Sequence, residues 1–160
     1  MSQLKKKFVL NVILFLSIFA LTSAFFIEYI LGHKPCNLCL IERIPYILTI
    51  MLIVLVLIFK KLEKNIFLLL AVIFLLAALL SFYHFGIEQG FIEESTVCNI
   101  KQNTNNLSKQ DLLKELNNTR ISCKNVDFRF FGFSLATINT FISLIFSIIA
   151  FRIFINYEKK

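Results

Sequence analysis

The sequence predicts an all-α integral membrane protein that crosses the bilayer four times, and three observations carry that prediction. Of its 160 residues, 58% are hydrophobic, 19 are Phe and none is Trp, with a mean hydropathy of +0.76. That is too apolar for an ordinary soluble domain and too short for several domains. The apolar residues fall in four runs, each long enough as a helix to cross a hydrocarbon core of ~30 Å. Most basic residues flank those runs. A single membrane domain over residues 1–160 is therefore expected.

The first run covers residues 8–30, about 34 Å as a helix, and follows Lys5, Lys6 and Lys7. A cleaved signal peptide is the rival reading, with Thr22, Ser23 and Ala24 as its cleavage site, but the apolar run continues well past that point. Glu28 lies near the far end, at the depth of an interfacial carboxylate. Gly32 and Pro35 then break the pattern and make a short connection over about 31–40. The second span covers about 41–59. Glu42, Arg43 and Pro45 interrupt its start, so the regular helix begins near Pro45 or is kinked there.

Lys60, Lys61, Glu63, Lys64 and Asn65 make the next turn, and the third span runs over about 66–87. Its last turn carries Tyr83 and His84, with Glu88 four residues beyond the histidine and on the same helix face. A polar stretch over about 88–129 follows and holds Cys98, an Asn-rich segment and Cys123. Within it Ser108 caps a short amphipathic helix candidate bearing Leu112, Leu113 and Leu116. The fourth span is expected over about 130–151, between Arg129 and Arg152.

The formal charge of +7 does not point to nucleic acid, because no basic stripe is interleaved with exposed aromatics. Membrane topology explains it better. Nine of the 17 Lys and Arg residues lie on the side that carries both termini, densely clustered, and eight are spread along the other. With the triple lysine ahead of the first span, this places both termini in the cytoplasm and all four cysteines outside. Disulfides persist on that outer face.

Cys36-Asn37-Leu38-Cys39 is the stretch around which chemistry can be built. The thiolate is the attacking species in disulfide exchange, and a helix start lowers a cysteine's pKa. Haem attachment needs a histidine after the second cysteine, where Leu40 stands, and a four-thiolate zinc site needs a second close pair, whereas Cys98 and Cys123 are far apart. No metal site is expected. Four cysteines allow three connectivities, and the short spacing favours Cys36 with Cys39 and Cys98 with Cys123. Two such pairs on one membrane face can pass a disulfide between them through mixed disulfides. The electrons so collected must leave, and the chain has no Gly-x-Gly-x-x-Gly motif for a flavin or nicotinamide. A lipid quinone is the acceptor that fits. Arg43, four residues after Cys39, can donate hydrogen bonds to it; the competing role for Arg43 is snorkelling at a span end.

The segment from Lys34 to Cys39 followed by Glu42 and Arg43 resembles the first outer loop of the disulfide bond formation protein B (DsbB) family of bacterial inner-membrane thiol oxidases. Tyr83-His84-Phe85-Gly86-Ile87-Glu88 is similar to the end of that family's third span. Cys98, Cys123 and the segment from Phe128 to Ala136 also fall where the family would have them. The resemblance covers essentially the whole chain. It implies a four-transmembrane-helix bundle with a short first and a long second periplasmic loop and both termini cytoplasmic. It also implies catalytic roles for Cys36, Cys39, Cys98 and Cys123. Cys98 would exchange with the catalytic cysteine of a periplasmic thioredoxin-like, DsbA-type oxidase, and Cys123 would be its disulfide partner. Cys36 would communicate with the loop pair, and Cys39 would meet the quinone, ubiquinone or menaquinone, as a thiolate. Arg43 and His84 would support quinone binding; for His84 a hydrogen-bonded structural role beside Glu88 is the alternative.

The main competing reading is a non-catalytic four-span interaction protein whose two disulfides staple its outer loops. A relative of vitamin K epoxide reductase ranks lower, because that family places its loop cysteines ahead of the C-x-x-C pair. A metal-binding membrane protein ranks last.

Overall fold

The computed structural model describes residues 3–58, 63–93, 98, 122–124, 129–130 and 132–158. The amphipathic segment expected around residues 108–116, the Asn-rich stretch, Lys60, Lys61, Phe128 and Phe131 lie outside the described residues. Apolar runs become helices in a membrane because a helix satisfies its own backbone hydrogen bonds. Four helical spans result, each long and apolar enough to cross a bilayer: Lys6–Tyr29, Asn37–Ile58, Lys64–Glu88 and Leu135–Asn156.

The first span belongs to α1, Gln3–Tyr29. Its end is turned by Gly32, whose φ of +75° favours glycine, and His33 N–H closes back on the Ile27 carbonyl. The second span is two helices, α2 at Asn37–Ile41 and α3 at Ile44–Ile58. The break falls at Glu42 and Arg43, where Arg43 N–H bonds three residues back to Leu40. Pro45 occupies the first turn of α3, where its missing N–H costs nothing. The interruption expected near Pro45 is thus a real division of the helix. The third span lies in α4, Glu63–Glu88.

The fourth helix, α5, covers Leu135–Glu158, so it begins later than the apolar run at residue 130 suggests. The reason is a small antiparallel hairpin of β1, Arg129–Phe130, and β2, Phe133–Ser134. Gly132, with φ +85°, supplies its turn. Ser134 then caps α5, its Oγ accepting from the Thr137 N–H at 3.2 Å. Apart from this hairpin the described fold is all helical.

The helices pack in the order α1, α3, α4, α5, with the closest packing between α4 and α5. Small residues permit that approach: Ala71, Ala77 and Ala78 on α4, and Ser143, Ser147 and Ala150 on α5, are buried. Ser147 donates from one helix to the Ala71 carbonyl of the other at 2.9 Å. One core joins all four spans, with Leu10 and Ile13 from α1, Ile53 and Val56 from α3, Phe67, Leu70 and Phe74 from α4, and Phe146 and Ile153 from α5. Leu10, Val56, Ile66 and Ile153 come from the start of α1, the end of α3, the start of α4 and the end of α5, so the spans alternate in direction. The outward faces are apolar too. Phe15, Phe19, Met51, Leu76, Leu79, Phe141 and Ile145 are exposed, a surface that water penalises and lipid accepts. This is a multi-pass membrane protein.

Candidate functional site: a dithiol beside a disulfide

At the end of the bundle where α1 and α4 finish and α2 and α5 begin, a second cluster gathers Cys36, Leu38, Ile87, Cys98 and Cys123, with Cys39, Leu80 and Tyr83 against it. Cys98 and Cys123 are joined by a disulfide with Cα atoms 5.6 Å apart, and Cys36 and Cys39 are free thiols. All four cysteines are therefore brought together, one pair oxidised and the other reduced.

Cys36 is the N-cap of α2, and its Sγ accepts from the Cys39 backbone N–H at 3.2 Å. Cys36 is buried while Cys39 is half-buried. The Cys36 thiol is lowered from its ordinary range to about 5, first by the hydrogen bond from the Cys39 side chain. Burial pushes the other way, and the hydrogen bond and charge of His84 add to the lowering.

His84 is buried, with Nε2 3.5 Å from Cys36 Sγ and Nδ1 2.7 Å from Glu42 Oε1. Glu42 sits in the break between α2 and α3, which turns its carboxylate into the bundle. Its other oxygen accepts from Asn139 Nδ2 of α5 at 2.9 Å. Asn139 also donates to Ser81 Oγ at 2.6 Å, and accepts from the Tyr46 hydroxyl and from Ser143 Oγ at 3.3 Å. A chain of buried polar groups thus runs from Cys36 through His84 and Glu42 into the bundle, each member hydrogen-bonded as burial requires. Glu88, expected to pair with His84, has Oε1 3.7 Å from His84 Nε2. Its Oε2 is buried without a hydrogen-bond partner among the described residues.

Arg43 turns away from this chain and pairs with Glu28 of α1, Nη1 to Oε2 at 2.5 Å, while its guanidinium lies over the Phe25 ring at 5.1 Å. Beside it opens a cleft of about 560 Å³ between α1 and α5. Leu16, Phe19, Ile27, Ile142 and Phe146 form apolar walls, and Cys36, Cys39, Glu42, Arg43 and His84 line the polar end.

Sequence reasoning named Cys36, Cys39, Arg43, His84, Cys98 and Cys123, and all six lie at this one end of the bundle. It missed Glu42 and Asn139 as members of the site. A carboxylate inside an otherwise apolar span and an asparagine within Leu135–Asn156 were the available signals, since polar groups at that depth need partners.

Fold and site together define a class: a multi-pass membrane protein that carries a buried dithiol against a second, disulfide-linked cysteine pair. The chain matches the model of the disulfide bond formation protein DsbB over residues 6–153, and it belongs to that family. Among curated proteins it is similar to the uncharacterised protein RP370 of Rickettsia prowazekii (strain Madrid E), 38% identical over 91 residues, 56% of this chain and 53% of that protein. The chain thus spans about half the length of that curated relative. No solved structure matches it.

Proposed function

We propose that the protein reoxidises a periplasmic, DsbA-type thioredoxin-fold oxidase at a bacterial inner membrane and passes the electrons through its two cysteine pairs to a membrane quinone. The observation that carries the reading is the packing of the Cys98–Cys123 disulfide into one buried cluster with the free Cys36 and Cys39 thiols. That is the arrangement expected after the inner pair has surrendered its disulfide to the outer one.

The steps balance as exchanges. A thiolate of the reduced partner attacks Cys98, the Cys98–Cys123 bond breaks, and a mixed disulfide forms. The partner's second thiol then displaces Cys98, leaving Cys98 and Cys123 as thiols and the partner oxidised. These thiols in turn attack the Cys36–Cys39 disulfide, regenerating their own bond and leaving the inner pair reduced. Two electrons and two protons have then reached Cys36 and Cys39.

The cleft suits a quinone in size, in its apolar walls and in its polar end. Bound there, a quinone supplies a two-electron, two-proton acceptor. Both thiols line the cleft, Cys39 being the less buried of the two, and Arg43 offers the guanidinium donors that Glu28 leaves unused. His84 Nε2 holds a proton next to Cys36 Sγ, and Glu42 fixes the ring through Nδ1.

The test mixes purified, quinone-loaded protein with a reduced thioredoxin-like oxidase and follows quinone absorbance. Reduction in the natural chain that Cys39→Ser and Cys98→Ser each abolish is expected. Intact bridges and no reduction, with a known active oxidase as control, would assign the protein to the stapled, non-catalytic class.

A further inference from the structure

The inner pair and the histidine that crowds it form a ligand set for which thiol exchange alone has no need. The Sγ atoms of Cys36 and Cys39 and a ring nitrogen of His84 all lie within 4.8 Å of one another. The Cys36 Sγ to His84 Nε2 separation is 3.5 Å. In a tetrahedral zinc site, bond lengths of about 2.3 Å to sulfur and about 2.0 Å to nitrogen put those two ligands about 3.6 Å apart. That one pair is therefore already at a ligating separation, and small side-chain rotations would close the rest of the set.

Two further observations point to a cation. His84 Nδ1 bonds to the Glu42 carboxylate, which turns Nε2 toward the two sulfurs. A carboxylate behind the far nitrogen is the arrangement that orients histidine ligands in zinc proteins, and Asn139 in turn steadies that carboxylate. The second is Glu88, whose side chain is 6% exposed and whose Oε1 lies 3.7 Å from the same Nε2. Its Oε2 is buried with no hydrogen-bond partner among the described residues, and Glu88 lines the same cleft as the thiols. A buried carboxylate oxygen with no donor is costly, and a cation removes the cost.

We propose that the reduced Cys36 and Cys39 thiols and His84 form a site for Zn²⁺ that Glu88, beside His84 but outside that close set, completes as a fourth, tetrahedral ligand when the metal binds; the site exists only in the dithiol state and holds the pair reduced. Two sulfur–zinc bonds, one nitrogen–zinc bond and one oxygen–zinc bond form, and whatever protons the two sulfurs and His84 Nε2 still hold are released. No electron moves. The metal competes with re-formation of the Cys36–Cys39 disulfide, so zinc is an inhibitor whose hold is set by the redox state of the chain. The site lay beyond sequence reach because His84 is far along the chain from the cysteines.

The test uses the full chain in detergent, freed of metal and titrated with Co²⁺ in two states, with the inner pair reduced or oxidised. A Cys98→Ser/Cys123→Ser chain assigns any thiolate signal to Cys36 and Cys39. One equivalent of Co²⁺ is expected in the reduced state, with a thiolate-to-cobalt charge-transfer band and intense four-coordinate visible bands, displaced by Zn²⁺ and absent once the pair is oxidised. Glu42→Gln and Glu88→Gln, which preserve side-chain volume, are each expected to weaken binding by about ten- to a hundredfold. Absence of the band in the reduced chain would overturn the proposal. So would a band whose affinity is unchanged in Glu42→Gln, Glu88→Gln and His84→Ala alike, since two thiolates alone would then account for it. Metal binding needs neither quinone nor oxidase, so this outcome is independent of the proposed electron transfer.

Discussion

His84 of α4 and Glu42, in the break between α2 and α3, are held together inside the bundle by a 2.7 Å contact between Nδ1 and Oε1. Both side chains are almost wholly buried, so neither can turn to water if the other is lost. Removing one partner of such a pair costs about 3 kcal/mol, because the remaining group is left buried without compensation. His84→Ala is expected to lower the thermal midpoint in detergent by several degrees. Glu42→Gln keeps a hydrogen-bonding group and costs about 1–2 kcal/mol. It should still slow reoxidation of the inner pair about tenfold or more, since the ring that stabilises the Cys36 thiolate is no longer held. A rate unchanged in Glu42→Gln would reduce this contact to packing.

The lowered pKa of Cys36 makes a separate prediction. With the thiol at about 5, Cys36 is already thiolate at pH 6 and gains little by pH 8. An ordinary thiol near 8.5 would become roughly a hundredfold more reactive over the same range. Alkylation of metal-free, reduced protein by iodoacetamide, read residue by residue by mass spectrometry, should change less than about twofold between those values at Cys36. Burial slows the reaction at every pH and leaves the profile's shape intact. His84→Ala removes a group that lowers the pKa, so its profile should move to higher pH; a steep rise already present in the natural chain would contradict the environment described.

Asn139 joins four side chains, from Glu42, Ser81, Tyr46 and Ser143. Leucine matches its size and satisfies none of them. Asn139→Leu should destabilise the protein by about 2–3 kcal/mol, since Tyr46 and Glu42 each lose a buried partner. Asn139→Asp should be worse for function, because a second carboxylate would then face Glu42. Thermal unfolding compared with the rate of inner-pair reoxidation separates the two: Leu should chiefly affect the first, and Asp the second.

What could be read from the chain divides by range. Four spans were legible because length and hydropathy are local properties, and the break near Pro45 because proline acts on its own helix. The β1–β2 hairpin was not, since Phe130 and Phe133 are as apolar as a helix start and only Gly132 marks the turn. Within the site, Cys36, Cys39 and Arg43 are close in sequence and were found together. His84 was singled out for its spacing from Glu88, yet its 2.7 Å partner is Glu42, brought in by the packing of α3 on α4. Asn139 shows the same limit: a lone polar residue in a span announces that a partner exists and does not say which.

Arg43 and Glu28 form a short ion pair that ties the break between α2 and α3 to α1 at the polar end of the cleft. Glu28 engages Nη1 only, so the pair aims the remaining donors while the Phe25 ring carries the face of the guanidinium. Lysine can keep the charge and cannot reproduce the fork or the stacking. Arg43→Lys is therefore expected to raise the KM for quinone about tenfold, equivalent to about 1.4 kcal/mol. Glu28→Gln, whose amide oxygen still accepts from Arg43, should raise it only about threefold, or ~0.7 kcal/mol. In both, the effect on KM should exceed that on kcat, measured with saturating reduced oxidase while quinone is varied. Should KM stay unchanged in both variants while thermal stability falls, Arg43 would be an anchor between two helices and the electron acceptor would have to be bound by other residues of the cleft.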